Sequence, residues 1–345
     1  MQGLDKIAIV ILNWNGKGML EKFLPFVIEH SSKAKIYVAD NASTDDSVSF
    51  VKSKFPEITC VENKHNNGYS SGYNEALKKI EAEYYVLLNS DVEVAANWLD
   101  PIISMMDKDQ SIAACQPKIL SYHNKSMFEY AGAAGGFIDK DGYMFCRGRI
   151  FNHFEKDNGQ YDGAKEIFWA SGACLFIRAD LFHQVSGLDS DFFAHMEEID
   201  LCWRLKNRGY KIYYNSDSIV YHVGGGTLSK NNPIKTYLNF RNNLYLLTKN
   251  YFQGNYMLKL FYRLILDGFA GIKFLFDGHP DHSIAILKAH FSFYRNFKKF
   301  YKKRMIVKKE FRLYNPVGQY KKSIVFDYFF KGIRNFSDLK LKDFY

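Results

Sequence analysis

Short apolar runs alternate with longer segments of helical period through the first part of the chain. Residues 7–12 form an uninterrupted apolar run that predicts a buried strand, and residues 19–29 have the apolar spacing of a helix. The same alternation predicts strands at residues 36–39, 58–61 and 84–88 and helices at residues 46–54 and 71–80. Strands that alternate with helices indicate a mostly parallel α/β sheet with helices on both faces. Because ligands of such sheets bind at the carboxyl ends of the strands, the polar residues that follow the strands are the candidates for function.

The remaining pattern divides the chain near residue 232. Residues 120–165 are rich in Gly and Asp and predict a loop or a small hairpin segment. Beyond them we predict strands at residues 171–178, 211–214 and 219–221 and a helix at residues 196–208, with Gly209 as its C-terminal cap. After Pro233, two long helical patterns follow at residues 234–251 and 257–276. We therefore predict a first domain of residues 1–232 and a helical C-terminal region of residues 233–345.

Positive charge is concentrated in that C-terminal region. The chain has a formal net charge of +9, but residues 251–345 hold 19 Lys and Arg against 7 Asp and Glu, so the part before them is net negative. Between residues 298 and 309 basic side chains are interleaved with aromatic ones, which suits either a helix lying on an anionic membrane surface or a helical cap with a solvated basic face. We expect the anionic membrane surface as a partner. No nucleic acid is expected, because the chain has no recognisable nucleic-acid-binding module.

Composition narrows the class and the compartment. An apolar share of 47% is enough for a folded core, and no charge-free apolar run reaches the roughly 18 residues of a spanning helix. The five cysteines are irregularly spaced and odd in number, which predicts reduced thiols. The N-terminus runs straight into a strand pattern rather than a signal peptide. We therefore expect a cytoplasmic protein, peripheral at the inner face of the cell membrane.

Three polar clusters follow predicted strands, and each also has a purely structural explanation. Asp40 could accept hydrogen bonds from a nucleobase or ribose, or its segment could simply begin a capped helix. The turn at Asn67 and Gly68 could let the backbone approach a diphosphate at a helix N-terminus, or it could be an ordinary turn. Asn89 and Asp91 put two oxygen-bearing side chains at the end of a strand, where Mg²⁺ or Mn²⁺ is often held, or they form a plain turn.

Two further clusters lie in the second half of the predicted first domain. Glu197, Glu198 and Asp200 head a predicted helix, where they could complement the helix dipole or supply a general base with a tuned pKa. His222 follows a predicted strand and precedes three glycines; a single histidine there is commonly structural, but the glycines allow the backbone to approach another group closely. Other chemistries have no signature in the chain, which lacks a P-loop, a dinucleotide-binding glycine fingerprint, a serine-nucleophile elbow and zinc-ligand spacing.

In their order and spacing, these clusters resemble those of the family 2 glycosyltransferases, an inverting group with the GT-A fold, and in particular its bacterial rhamnosyltransferase-like branch. The resemblance covers roughly residues 6–230. Its blocks are Ile9-Val10-Ile11-Leu12-Asn13-Trp14-Asn15, Asp40-Asn41-Ala42-Ser43 with Asp45, Asn67-Gly68 through Gly72 and Asn74, Leu88-Asn89-Ser90-Asp91, Ser171-Gly172-Ala173, Gly187-Leu188-Asp189, and Glu197-Glu198-Ile199-Asp200-Leu201-Cys202. The resemblance implies the GT-A nucleotide-diphospho-sugar transferase fold, a Rossmann-like, mostly parallel sheet flanked by helices, followed here by the C-terminal helical extension.

The resemblance also implies roles for individual residues. The donor nucleotide would be bound by Asn13, Asn15, Asp40, Asp45, Asn67, Gly68, Asn74 and Asn89. A divalent metal, Mn²⁺ or Mg²⁺, would be held by Asp91 and His222. The catalytic acids would be Glu198, Glu197 and Asp200, with Glu198 at the position of the family's base. Trp169, Ser171 and Gly172 would shape the pocket for the donor sugar and the acceptor.

Two motifs depart from the family pattern. The usual Asp-x-Asp reads Asn89-Ser90-Asp91, which removes the first carboxylate of the metal motif. The usual Glu-Asp pair reads Glu197-Glu198, so the choice of base between these two residues stays open.

The resemblance implies an inverting transferase that moves a sugar from a dTDP- or UDP-sugar, dTDP-rhamnose among them, to a hydroxyl of a cell-surface polysaccharide or glycolipid. The expected partners are thus a nucleotide-sugar donor and a glycan or lipid-linked acceptor. Two alternatives stay open. One is a sugar nucleotidyltransferase, although Asn13-Trp14-Asn15-Gly16 is not the Gly-rich loop with which such enzymes usually begin. The other is a non-catalytic, membrane-associated binding protein on the same scaffold.

Overall fold

A computed structural model of the protein describes residues 5–224 and 232–345. The last two of the three glycines after His222 lie outside these ranges. The strands are β1 (Asp5–Asn13), β2 (Lys35–Asp40), β3 (Thr59–Glu62), β4 (Ala82–Asn89), β5 (Val92–Val94), β6 (Ile112–Ser121), β7 (Gly136–Asp139), β8 (Met144–Cys146), β9 (Arg149–Ile150), β10 (His153–Phe154), β11 (Ala164–Ile167), β12 (Cys174–Arg178), β13 (Lys211–His222) and β14 (Gln319–Tyr320). The helices are α1 (Lys17–His30), α2 (Ser47–Lys54), α3 (Gly68–Leu77), α4 (Asp100–Lys108), α5 (Ala179–Gln184), α6 (Glu197–Lys206), α7 (Pro233–Asn250), α8 (Tyr256–Phe276), α9 (Pro280–Glu310) and α10 (Ile324–Phe329).

The main sheet has the order β11-β13-β6-β12-β4-β1-β2-β3, with β5 paired to β13. Strands β4, β1, β2 and β3 run parallel, and β6 and β13 are also parallel. Strand β12 runs antiparallel to both of its neighbours and joins the two halves. The prediction of a mostly parallel α/β sheet flanked by helices is confirmed.

Apolar side chains on both faces hold this sheet in the middle of the molecule. In β1, Ala8 and Val10 belong to one buried apolar cluster, whereas Ile7, Ile9 and Ile11 belong to the other. Successive side chains of a strand point to opposite faces, so a strand covered by helices on both sides must be apolar throughout. This is the physical reason for the uninterrupted apolar run that predicted β1.

The differences between the structure and the predicted elements include the following three. The strands predicted at residues 211–214 and 219–221 are one strand, β13, with an irregularity between Asn215 and Ile219. Strand β6 was not predicted, because buried polar residues such as Gln116 and Lys118 interrupt its apolar pattern. The Gly-rich segment predicted as a loop or hairpin supplies β7 to β10, which form a small sheet of order β10-β9-β8-β7-β14.

The chain after Pro233 packs back onto the residues before it. Helix α7 begins at Pro233, next to the predicted boundary at residue 232. Strand β14 pairs in parallel with β7, so the end of the chain completes the small sheet. Within the described ranges, none of the helices combines the length and the apolar character needed to cross a membrane. All five cysteines are free thiols.

Candidate active site

Asn13 and Asp40 meet at the carboxyl ends of two neighbouring strands. They are paired in register between β1 and β2, and both side chains are buried. Asn13 Nδ2 donates to Asp40 Oδ1 at 3.0 Å, and the backbone N–H of Ser43 donates to Asp40 Oδ2 at 2.9 Å. Asn13 Oδ1 is buried without a hydrogen-bond partner in the protein. A carboxylate held this rigidly beside an unpaired amide oxygen is suited to receive polar groups of a ligand.

Asn15 and Asp45 shape the loop above this pair. Asn15 has a left-handed φ of 50°, and its Oδ1 accepts from the backbone N–H of Thr44 at 2.7 Å. Asp45 accepts from the backbone N–H groups of Ser47 and Lys17 at 3.1 and 3.3 Å. Partial burial raises the pKa of Asp45, but these hydrogen bonds and that of the Ser47 hydroxyl outweigh it and lower the pKa. The loop therefore keeps a negative charge at neutral pH.

Helix α3 connects the turn at Asn67 and Gly68 to the segment before α6. We call α6 the acidic helix, because it begins with Glu197 and Glu198. Asn67 is the N-cap residue of α3, and Gly68 has a φ of 85°. A Cβ at Gly68 would lie 2.8 Å from the Phe193 ring, so the position requires glycine for space as well as for conformation. The amide of Asn74 donates to Leu188 O at 2.7 Å and accepts from Leu188 N at 3.0 Å. In this structure Asn74 therefore links α3 to the chain ahead of α6.

Asp91 and His222 lie together, although 131 positions separate them in the sequence. Asp91 Oδ1 is 3.2 Å from His222 Nε2, and Glu129 Oε2 is 3.1 Å from His222 Nδ1. Burial lowers the pKa of His222, but the two carboxylates outweigh it and raise the pKa to about 10. Burial likewise raises the pKa of Asp91 and of Glu129, but His222 outweighs it and lowers both. The imidazole thus carries a proton at neutral pH when no other cation is bound.

This cluster fits a divalent cation that is completed by a ligand. Within residues 5–224 and 232–345, no group of three or more His, Cys, Asp or Glu side chains is arranged to hold a metal. Mg²⁺ and Mn²⁺, however, are commonly held by one or two protein ligands together with substrate phosphates. The 3.2 Å between Asp91 Oδ1 and His222 Nε2 is close to the roughly 3 Å that separates adjacent ligands of an octahedral ion with bonds near 2.1 Å. Glu129 beside Nδ1 matches the carboxylate that commonly orients a metal-binding histidine.

A turn at Ser171, Gly172 and Ala173 joins the cluster of Asp91, Glu129 and His222 to the acidic helix. Asn89, at the end of β4, donates its backbone N–H to Ala173 O at 3.0 Å. Ser171 Oγ donates to Ala131 O at 2.8 Å, and the backbone N–H of Ala131 donates to the Glu129 carboxylate. The backbone N–H of Gly172 in turn donates to Glu198. The ends of β4 and β13 and the start of α6 therefore share one connected network.

Glu198 and Glu197 differ in their surroundings. Glu198 is half-buried, and burial raises its pKa to about 7 despite backbone hydrogen bonds that lower it. Glu197 is more deeply buried, and both burial and the neighbouring Glu198 hold its pKa well above the usual range. One oxygen of each carboxyl group has no partner in the protein. The environment of Glu197 thus favours its neutral form, whereas the pKa of Glu198 lies close to neutral pH, as suits a general base.

The segment that leads into the acidic helix is strained and pinned. Phe193, His195 and Met196 have left-handed φ values of 65°, 69° and 72°, which non-glycine residues rarely adopt. Asn242 of α7 lies across this segment: its Nδ2 is 3.0, 2.9 and 2.7 Å from the carbonyl oxygens of Phe192, Ala194 and His195. The strain at the start of α6 is thus held by a contact from the C-terminal region.

Asp200 and Trp169, which the resemblance placed in the site, lie in the protein interior. Asp200 Oδ2 accepts from Arg204 Nε at 2.8 Å and from Lys249 Nζ at 2.9 Å, and its side chain is fully buried. Trp169 packs against Gly136, and its Nε1 donates to Phe137 O at 2.9 Å. Both side chains therefore make these contacts within the protein interior.

Sequence reasoning assigned no role to three residues of this region. Glu129 is a single acid in an irregular segment, Asn242 lies inside a helical pattern, and Tyr69 is one of 24 tyrosines. The Tyr69 hydroxyl donates to Gly172 O at 2.8 Å, beside Glu198. Their relevance comes from contacts across roughly 50 to 100 positions of sequence, and no local pattern predicts such contacts.

Known proteins match the chain at the level of family and fold. A model of glycosyl transferase family 2 matches residues 8–186. The N-acetylglucosaminyl-diphospho-decaprenol L-rhamnosyltransferase of Mycobacterium tuberculosis is 22% identical over 240 residues, covering 65% of this chain and 78% of that protein. GalNAc-T7, solved with UDP, GalNAc and Mn²⁺, is similar with a TM-score of 0.56 at 15% identity, over 74% of this chain and 50% of that one. The mannosyltransferase PcManGT from Pyrobaculum calidifontis, solved with GDP-Man and Mn²⁺, has a TM-score of 0.51 at 12% identity, over 90% of this chain and 86% of that one.

The fold is that of the GT-A sugar-transferring enzymes. The chain belongs to glycosyl transferase family 2, because the family model covers more than half of its length. It is a hexosyltransferase-type enzyme, and its chemistry is sugar transfer in glycan biosynthesis.

Proposed function

We propose that the protein is an inverting glycosyltransferase that uses a dTDP- or UDP-sugar, including dTDP-rhamnose. The acceptor is a hydroxyl of a growing cell-surface polysaccharide or glycolipid. The observation that carries this proposal is the network that joins the Asp91–His222 pair to Glu198 through the turn at Gly172. The name of the rhamnosyltransferase relative includes a diphospho-decaprenol group, which is a lipid carrier. This name supports a lipid-linked acceptor for the present protein.

In the proposed mechanism, the residues at the strand ends bind the donor and Glu198 activates the acceptor. Asp40 and Asn13 bind the nucleoside, with Asn15, Asp45, Asn67, Gly68 and Asn89 around it. Glu198 takes the proton of the acceptor hydroxyl as the oxygen attacks the anomeric carbon from the face opposite the diphosphate, so the configuration inverts in one step. Asp91 and His222 would hold a divalent cation, which would supply positive charge to the departing diphosphate. Ser171 and Gly172 line the side where the two sugars meet.

Replacement of Asp91 by Asn tests the donor site directly. The change keeps the size of the side chain but removes the charge from the pair with His222. We expect UDP and dTDP to stabilise the wild type against heat more strongly with Mn²⁺ than without it, and Asp91→Asn to weaken the metal-dependent part at least about tenfold in affinity. Thermal shift titrations measure this effect. Asp180→Asn, which removes an exposed acid at the start of α5, is the control and leaves the shift unchanged.

Two results would count against the proposal. An unchanged metal-dependent shift in Asp91→Asn removes Asp91 from the donor site. If no nucleotide sugar stabilises the wild type and none is hydrolysed in the presence of Mn²⁺, the non-catalytic alternative is favoured instead.

Replacement of Asn242 by Ala tests whether α7 positions the base. Without the amide, three carbonyl groups lose a donor and the left-handed segment before α6 can relax, at a cost of about 1–3 kcal/mol. We expect kcat to fall about tenfold or more while KM for the donor stays within about twofold, because Asn242 does not touch the nucleotide side. Steady-state kinetics measure the split. Asn239→Ala on the same helix is the control, and an equal loss of kcat in both variants would contradict a positioning role.

We also propose that the enzyme works in the cytoplasm at the inner face of the cell membrane. A lipid-linked acceptor resides at that surface, and the positive charge of the C-terminal region is complementary to anionic lipid.

A further inference from the structure

Helix α8 is built with its charges turned toward the protein. Arg263 and Asp267 are buried and paired, with Arg263 Nε 2.7 Å from Asp267 Oδ1. His290 Nε2 of α9 lies 3.2 Å from the other oxygen of Asp267, and Lys259 Nζ lies 3.1 Å from Asp141 Oδ1 in the turn after β7. The polar side chains of the helix thus form ion pairs within the protein. The side chains that α8 exposes to solvent are mostly apolar.

The outer face of α8 exposes an apolar surface along the whole helix. Phe261, Ile265 and Phe269 are 65%, 43% and 64% exposed. The other exposed apolar residues of this face are Met257, Leu258, Tyr262, Ile272, Leu275 and Phe276. Its one charged residue, Lys273, pairs with Asp277. Proteins that stay in water rarely expose a continuous apolar surface of this kind, and such surfaces mark interaction sites.

Helix α9 extends this surface. Ser283 Oγ donates to Gly271 O at 2.7 Å, and this bond with the His290–Asp267 contact sets the first half of α9 alongside α8. That half of α9 exposes Ile284, Leu287, Phe291 and Tyr294. We call the outer face of α8 together with these four residues the apolar face.

The basic run of α9 is divided between the interior and the solvent. Lys303 pairs with Asp191, and Arg304 donates to Thr248 O at 3.0 Å, so these two residues hold the fold together. Lys299 pairs with the same Asp191 but is itself exposed. The expectation that the whole run lies on a surface is therefore wrong for Lys303 and Arg304. Six other basic residues of α9 are exposed: Lys288, Arg295, Lys298, Lys302, Lys308 and Lys309. They leave a basic surface on the same helix that carries part of the apolar face.

We propose that the apolar face inserts into the headgroup and upper acyl layer of an anionic bilayer, with α8 lying in the plane of the membrane. This inference rests on the proposed function, because a lipid-linked acceptor would meet the enzyme there. Charge decides between lipid and a second copy of this chain as the occupant. Two copies would bring together regions that each hold 19 Lys and Arg against 7 Asp and Glu, whereas anionic headgroups are complementary to the exposed lysines.

A triple substitution in the full-length protein tests this proposal. Phe261→Ser, Ile265→Ser and Phe269→Ser remove apolar area from the outer face without touching the internal ion pairs. We expect the wild type to co-sediment with vesicles of phosphatidylcholine and phosphatidylglycerol, and the triple variant to bind them at least about tenfold more weakly. The control carries Leu313→Ser, Phe330→Ser and Leu341→Ser, which are at least as exposed but lie outside the apolar face, and it binds like the wild type.

Further measurements separate the possible outcomes. Lys298→Gln with Lys302→Gln and Lys309→Gln weakens the salt-sensitive part of vesicle binding, as expected for exposed charges near anionic lipid. Vesicle binding by the triple variant that equals the wild type overturns the proposal. So does a wild type that ignores vesicles but is a dimer in solution while the triple variant is a monomer. Hydrolysis of the donor sugar in the absence of lipid, unchanged in the triple variant, shows that a binding defect is separate from any failure of the proposed function.

Discussion

Glu198→Gln is expected to lower kcat by about 10²–10⁴-fold while the enzyme still binds its donor, because the amide cannot accept the proton of the acceptor hydroxyl. The substitution keeps the shape of the side chain and its position beside the Gly172 backbone. Glu197→Gln is the matched control. Burial and the neighbouring Glu198 raise the pKa of Glu197 well above its usual range, which favours the neutral carboxyl group, so we expect the neutral amide to retain most of the activity. Turnover with a saturating donor and a defined acceptor measures both effects.

The pH profile gives a second test of the same residue. Since Glu198 must be ionised to act as a base, and since burial raises its pKa to about 7, activity is lost as the pH falls through about 7. We expect kcat/KM to fall about tenfold per pH unit on the acid side and to level off above it. A Glu198→Gln variant with full activity, or a wild-type profile that is flat between pH 5 and pH 8, would remove Glu198 from the role of base.

The part of the site that the sequence predicted lies where local pattern and strand order coincide. Asn13, Asp40 and Asn89 each follow an apolar run, and parallel pairing of β2, β1 and β4 brings the ends of those runs to one edge. For His222 the prediction needed the family resemblance, because β13 pairs with β5 and thereby places His222 opposite Val92, next to Asp91. The elements followed from hydrophobic periodicity, whereas the partner of each polar residue did not.

The part that could not be predicted depends on which face of an element is buried. In α8 the spacing of Arg263 and Asp267 shows a polar stripe, but periodicity does not tell whether that stripe faces water or the protein. In α9 the adjacent Lys302 and Lys303 look equivalent in sequence. Lys303 is nevertheless enclosed by acids from the segment before α6, whereas Lys302 is exposed. Strand β6 was not predicted because the sequence does not show that its Lys118 is buried. Asp157 and Asp162 of a distant loop pair with Lys118 in the folded protein.

Lys249→Met is expected to destabilise the whole fold by about 3–5 kcal/mol, which is the usual cost of removing one partner from a buried ion pair. Lys249 Nζ lies 2.6 Å from Asp189 Oδ2 and 2.9 Å from Asp200 Oδ2, and all three side chains are nearly or fully buried. Without the ammonium group, Asp200 keeps Arg204 and Asp189 keeps Lys303, so the loss falls toward the lower end of this range. Urea unfolding measures it, and Lys302→Met, which removes an exposed lysine, is the control and changes stability by less than about 0.5 kcal/mol.

The same network predicts how stability depends on pH. Burial raises the pKa of Asp189, but Lys249 and Lys303 outweigh it and hold the pKa below its ordinary value of 3.8. A lowered folded-state pKa adds stability that is fully present above the unfolded-state value and is lost as the pH falls below it. The free energy of unfolding of the wild type should therefore decrease below about pH 4, and this decrease should be smaller in Lys249→Met. Asp189 and Asp200 lie on either side of the strained segment that leads into Glu197 and Glu198. We therefore expect the C-terminal helices and α6 to unfold together. A variant whose C-terminal region melts separately while donor hydrolysis persists would contradict this coupling.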